Sequence, residues 1–265
     1  MSDDSADQSR AEVEPEDRAL FDRIARQYAR KDSTPSSRIA REYQLLATVG
    51  DDLLRAEKVG RVVEIACGIG ASAEFLRGRY DHYVGVDHSQ EMIDIAAWFN
   101  RDNPAARFVC GNAKDKIDLG GPADLVLAVG ALHHITELDQ LFDTMKEYAA
   151  PGARFIAIEP FRGNPFIGIM RFIRTKIDKA YSADQQFFSR AELRDLLTRN
   201  EMRDIELVNQ GFFTPPFAQV ILPPQFLTAP LSRIATWLDR GIDCCLVPVL
   251  GLLSWNVVIR ARFPG

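Results

Sequence analysis

The sequence predicts an α/β fold, a seven-stranded, mostly parallel, doubly wound sheet with helical lid insertions. Three observations carry the prediction. Short apolar runs bounded by turn residues alternate with segments of helical periodicity from about residue 59 onward. The first run, Val62-Val63-Glu64-Ile65-Ala66-Cys67-Gly68-Ile69-Gly70, acquires an acid and then breaks into a glycine loop. A second run ends in Asp87, seventeen positions beyond Gly70, close to the ~20 at which nucleotide-binding half-folds place a ribose-binding acid.

Each element follows in order. Leu20, Phe21, Ile24 and Tyr28 have helical spacing, Pro35 interrupts, and a second helical pattern runs from about Ser37 to Lys58. Strand 1 is read at 61–66 with a helix over 71–78, and strand 2 at 82–87 with a helix whose N-cap is Ser89. Strand 3 is 107–110 and strand 4 is 123–129. A helix from about 137 to 149 is stopped by Pro151-Gly152, and strand 5 is 154–159. Ser189 with Glu192 forms a capping box for a helix to Asn200, and strands 6 and 7 are 204–209 and 256–262. Strands alternating with helices imply a parallel sheet. The long stretches 161–188 and 211–255 exceed a minimal fold of this kind. Both leave from the carboxyl edge of the sheet, where such folds bind ligands. They are expected, with an N-terminal helical lid at 19–58, to build the substrate pocket around a core domain spanning 59–265.

The bulk numbers are consistent with one domain. Hydrophobic residues make up 46% and charged residues 26%, enough for a sizeable core in a chain of 265 residues. Net charge is -5, and residues 1–18, with seven acids and two arginines, account for all of it. That acidic, aromatic-free start reads as a disordered tail. The balanced remainder gives no case for nucleic acid. The four cysteines show no zinc spacing, no metal site is expected, and a reducing compartment is read. No secretory signal pattern opens the chain, and the longest apolar stretch, 244–253, is short of the ~20 residues a spanning helix needs. A cytoplasmic protein is expected.

The glycine loop admits two cofactors. A dinucleotide brings a pyrophosphate, which seeks bare backbone N–H groups and a helix N-terminus. S-adenosylmethionine brings a cationic sulfonium and amino group, which an acid beside the loop attracts. Glu64 occupies that place. Asp87 can accept both hydroxyls of a ribose. The sequence from 60 to 160 resembles the class I S-adenosylmethionine-dependent methyltransferases, bacterial small-molecule type. Glu64, Gly68 and Gly70 match that family's first motif, with Ala66 in place of a glycine, which a tight turn tolerates if its φ stays negative. Val86-Asp87-His88-Ser89 through Met92 resembles its second motif. Gly111-Asn112-Ala113 matches its Gly-Asp-Ala with an amide for the acid, and Val129 to His134 matches the end of strand 4. The resemblance implies six parallel strands with a seventh inserted antiparallel. It implies S-adenosylmethionine held near Tyr28, Glu64, Ala66, Gly68, Gly70, Asp87, His88, Met92, Asn112, Ala113 and Val129.

His133, His134 and Glu159, at the sheet edge, are the candidate bases, since a neutral imidazole suits proton transfer near pH 7. The implied activity is methyl transfer to a small-molecule or lipid-linked acceptor, with oxygen the expected nucleophile. Alternatives are C-methylation of a quinone-like ring, an NAD(P)-dependent oxidoreductase, and a non-enzymatic membrane-surface or partner-binding module. In the first insertion Phe166, Ile169, Met170, Ile173 and Ile177 share a helical face, and Arg171, Arg174, Lys176 and Lys179 crowd the rest, a pattern compatible with peripheral membrane contact. Oligomeric state is left open.

Overall fold

The computed structural model describes residues 22–55, 58–164, 187–219, 221–245 and 250–265. The acidic segment 1–18, Leu20, Phe21 and the basic 166–179 segment lie outside the described residues.

Seven strands form one sheet: β1 (Val59–Ile65), β2 (Tyr80–Asp87), β3 (Ala106–Cys110), β4 (Ala123–Val129), β5 (Ala149–Pro160), β6 (Arg203–Gln210) and β7 (Asn256–Arg262). Their spatial order is β3-β2-β1-β4-β5-β7-β6. β7 runs antiparallel to both β5 and β6, and the other pairs are parallel. The central strands β1 and β4 read as nearly unbroken apolar runs because helices cover both faces of the sheet. The helices are α1 (22–32), α2 (Pro35–Arg55), α3 (Ala71–Phe75), α4 (Gln90–Phe99), α5 (Leu138–Tyr148), α6 (Arg190–Arg199), α7 (Pro215–Gln219) and α8 (Gln225–Cys245).

On one face, Leu141, Phe142 and Met145 of α5 and Leu193, Leu196 and Leu197 of α6 join Val63, Val126, Phe155 and Ile259. On the other, Leu45 and Val49 of α2 meet Val62, Leu125, Leu127 and Ile156. The expected caps are present. Ser89 Oγ accepts from Met92 N at 3.2 Å, and Ser189 with Glu192 closes a capping box.

Three expectations are corrected. Pro151-Gly152 does not separate a helix from a strand, because α5 ends at Tyr148 and β5 begins at once, with Ala149 paired to Ala123. The helix read from 37 to 58 breaks at Gly50, whose φ of 79° is non-helical; its neighbourhood is tied down by Arg260, which donates to the carbonyls of Ala47 and Thr48 at 3.0 and 3.1 Å. Residues 19–58 are also not simply a lid, since Leu45 and Val49 of α2 belong to the core beneath the sheet.

Candidate active site

The site forms where β1, β2, β3 and β4 end. β1 passes into a tight loop at 66–70 that is pinned to β2. Cys67 N donates to Val86 O at 2.9 Å, and Gly68 N donates to Asp87 Oδ2 at 2.8 Å. The other Asp87 oxygen accepts from Ser89 N at 3.0 Å. One carboxylate therefore joins the glycine loop to the start of α4. Burial raises the Asp87 pKa, and the amides of Ser89 and Gly68 oppose that rise.

Three loop residues have positive φ: Ala66 at 50°, Gly68 at 52° and Gly70 at 73°. The condition of a negative φ at Ala66 is not met; the turn holds an alanine in the left-handed region, at a cost of about 1 kcal/mol. The two glycines differ. A Cβ on Gly68 would meet nothing within 4 Å, whereas one on Gly70 would lie 2.8 Å from the Phe108 ring and 2.9 Å from Asn100. Gly68 lies under open space, and Gly70 is required by packing.

Glu64 lies at the inner wall and is 2% exposed. Ser72 Oγ donates to its Oε1 at 2.6 Å, and the Tyr83 hydroxyl donates to its Oε2. Burial raises its pKa to about 7, against the two hydroxyls that favour the charged form.

These groups face a cavity of about 900 Å³, ample for a nucleoside-sized ligand and more. Of the residues expected to hold a cofactor, Tyr28, Glu64, Ala66, Gly68, Asp87, His88, Met92, Asn112, Ala113 and Val129 all line it; Gly70 does not. α1 closes one side. Its Ala25 and Tyr28 pack with Ile69 and Met92, and Ser89 Oγ donates to Asp22. Asn112 turns its amide oxygen back to accept from Lys114 N at 3.0 Å.

The three candidate bases separate. His134 lines the cavity, while His133 and Glu159 stand behind it. Glu159 is fully buried. Its Oε1 accepts from Ala131 N and Leu132 N at 3.0 and 2.8 Å, and its Oε2 accepts from His133 N at 3.3 Å and lies 2.7 Å from His133 Nδ1. A base role for Glu159 is corrected on that ground, since its oxygens are spent on a turn of the chain itself. It acts as an anchor for residues 131–134. The ring centroids of His133 and His134 lie 4.0 Å apart, and the Phe187 ring stacks on His133 at 6.0 Å. Burial, helped by His133 and His88, lowers the His134 pKa to about 3, so this imidazole is neutral at physiological pH.

Two cations of the lining, each paired with an acid, are absent from the sequence reading. Arg41 Nε lies 2.8 Å from Asp32 Oδ1, both contributed by the N-terminal helices. Lys114 Nζ donates to Glu137 Oε2 at 2.9 Å, with Glu137 held at a φ of 53° at the head of α5. Lys114 follows Gly111-Asn112-Ala113 directly, and that adjacency was the available clue. Among the described residues, the second insertion contributes none to the lining.

Comparison with known proteins agrees with this geometry. Residues 62–152 match the family model described as a methyltransferase domain. Over 134 residues the chain is 25% identical to an uncharacterized methyltransferase of Schizosaccharomyces pombe, covering 45% of this chain and 47% of that protein, so it spans about half the length of this curated relative. Among solved structures, a S-adenosylmethionine-dependent methyltransferase of Thermotoga maritima superposes with a TM-score of 0.62 at 19% identity, over 92% of this chain and 98% of its own. Magnesium protoporphyrin IX methyltransferase of Synechocystis, solved with bound S-adenosylhomocysteine, gives 0.61 at 13%, over 94% and 99%. Phosphoethanolamine N-methyltransferase 2 of Haemonchus contortus gives 0.59 at 18%, over 94% of this chain and 60% of that one. The strand order, the reversed β7 and the glycine loop define the class, a class I S-adenosylmethionine-dependent methyltransferase fold.

Proposed function

We propose that the protein transfers a methyl group from S-adenosylmethionine to an oxygen of a small or lipid-linked acceptor. The observation that carries the cofactor half is the pairing of an open Gly68 with Asp87 at the carboxyl edge. The donor set suits this ligand. Four acids, Asp32, Glu64, Asp87 and Asp115, are in the lining, while its cations Arg41 and Lys114 are matched to Asp32 and to Glu137. A cationic ligand gains from that balance and a pyrophosphate does not. Asp87 would hold the sugar hydroxyls, Glu64 the amino end, and Met92, His88 and Ala113 the base. S-adenosylmethionine supplies the electrophilic methyl on a sulfonium.

The remaining work is alignment of an oxygen nucleophile. His134 supports this role as a neutral imidazole in the cavity wall, with a pKa near 3 that suits it to hydrogen-bonding an acceptor rather than carrying off its proton. The acceptor that fits is an oxygen acidic enough to ionise by itself, a phenol or a carboxyl. Glu159 and His133 hold the turn that presents His134.

The test is product analysis after turnover with methyl-labelled S-adenosylmethionine and matched phenol, carboxylate, amine and ring-carbon acceptors. Label on oxygen is expected, and label on nitrogen or carbon overturns the oxygen assignment. His134→Ala is expected to lower kcat by roughly 10²-fold through loss of a positioned hydrogen-bonding group while leaving cofactor affinity within about twofold, measured by steady-state kinetics and calorimetry.

A further inference from the structure

α8 is inside out. The residues it turns toward the protein are small or polar: Thr228, Ser232, Ala235 and Asp239, at spacings of four, three and four. Ser232 Oγ donates to Ser36 O at 2.8 Å on α2. Asp239, wholly buried, accepts from Phe213 N and Thr214 N at 2.9 Å each and from Phe212 N at 3.1 Å. Tyr43 of α2 donates to Asp243 at 2.7 Å. These contacts fix the helix on its polar side.

The large apolar residues point the other way. Phe226 is 76% exposed and Trp237 72% exposed, and Leu231, Ile234 and Leu238 flank them, with Leu252 close in sequence to the helix end and also exposed. Isolated exposed apolar residues are ordinary, whereas a continuous helical face of them marks an interaction surface. Charge indicates the partner. The exposed side of α8 carries Arg233 and Arg240, and the two acids of the helix, Asp239 and Asp243, are turned inward. The face therefore combines aliphatic residues, two aromatics and positive charge alone.

We infer that this face docks the protein on the surface of an anionic lipid bilayer, with α8 lying in the interface. Aliphatic and aromatic side chains enter the acyl boundary, tryptophan favours the headgroup level, and each arginine meets an anionic headgroup. A second copy of the chain fits less well. A two-fold contact repeats the same patch on both sides and would bring its arginines together with no exposed acid of α8 to match them. The inference is independent of the cofactor reading, because no residue of α8 lines the cavity.

Flotation of the full chain with phosphatidylcholine vesicles, with and without phosphatidylglycerol, tests it. The wild type is expected to float with the anionic vesicles and far less with the neutral ones. Phe226→Ser with Trp237→Ser should weaken that binding at least about tenfold, and Arg233→Gln or Arg240→Gln about fivefold each on anionic vesicles. Phe226, Trp237 and Arg233 are exposed, so the thermal midpoint should not move in their variants. The inference falls if the wild type ignores anionic vesicles or if the double variant floats as well as the wild type. It falls equally if sedimentation finds a wild-type dimer that the double variant converts to monomer.

Discussion

The loop after β1 and the insertion after β6 use buried carboxylates in the same way and side-chain polarity in opposite ways. In the loop, Asp87 ties Gly68 and Ser89 together and still reaches the cavity. In the insertion, Asp239 ties residues 212–214 together from a wholly buried position, and the apolar side chains of α8 are left outside. A carboxylate that organises backbone amides can thus build a ligand site or only a scaffold. What distinguishes them is whether open space remains beside it. The first region is shaped for a small polar ligand, and the second fixes an apolar face for something larger.

The strongest way to break that contrast is to remove the scaffold carboxylate. Asp239→Ala leaves the amides of residues 212–214 without their buried acceptor, and a loss of about 3–4 kcal/mol is expected in urea unfolding. Phe226→Ser on the same helix should change stability by less than about 0.5 kcal/mol. Equal effects would mean that the outer face of α8 is part of the core.

The two glycines of the loop sharpen the contrast at one site. Gly70→Ala should cost about 2–3 kcal/mol, since its Cβ has no room beside Phe108 and its φ is left-handed. Gly68→Ala should cost about 1 kcal/mol of backbone strain yet lower S-adenosylmethionine affinity by more than about tenfold, because the added methyl projects into open space. Thermal melts paired with calorimetry read both quantities; unchanged affinity in Gly68→Ala would remove that residue from the binding surface.

A pH-dependent effect concerns Glu64. Its folded pKa is raised from 4.5 to about 7, so the native state favours the protonated carboxyl. The resulting penalty is absent below pH 4.5, grows as pH rises toward 7 and is constant above. Glu64→Gln should therefore be more stable than the wild type at pH 8, with the difference vanishing near pH 4.5. Ligand-free melts across that range measure it, and a pH-independent difference would contradict the raised pKa.

Much of this was legible in the sequence because the information was local. Strand 4 and strand 7 have the bounds read from their apolar runs, Ser89 and Ser189 cap the helices they precede, and all but one of the expected cofactor residues line the cavity. What was not legible depends on tertiary contacts. Glu159 reaches from β5 to the turn after β4, and Asp32 meets Arg41 across a break between helices, and no spacing rule foretells either. The orientation of α8 was not legible either, because amphipathic periodicity gives the apolar side of a helix but not what that side will face.

The central claim is that the cavity beside Gly68 and Asp87 takes S-adenosylmethionine, and titration calorimetry of the full chain tests it most directly. One-to-one binding of S-adenosylmethionine and S-adenosylhomocysteine is expected, weakened by about 2–3 kcal/mol in Asp87→Ala, with no heat from NADH. No binding of either nucleoside at millimolar concentration, or saturable binding of NADH, would contradict it.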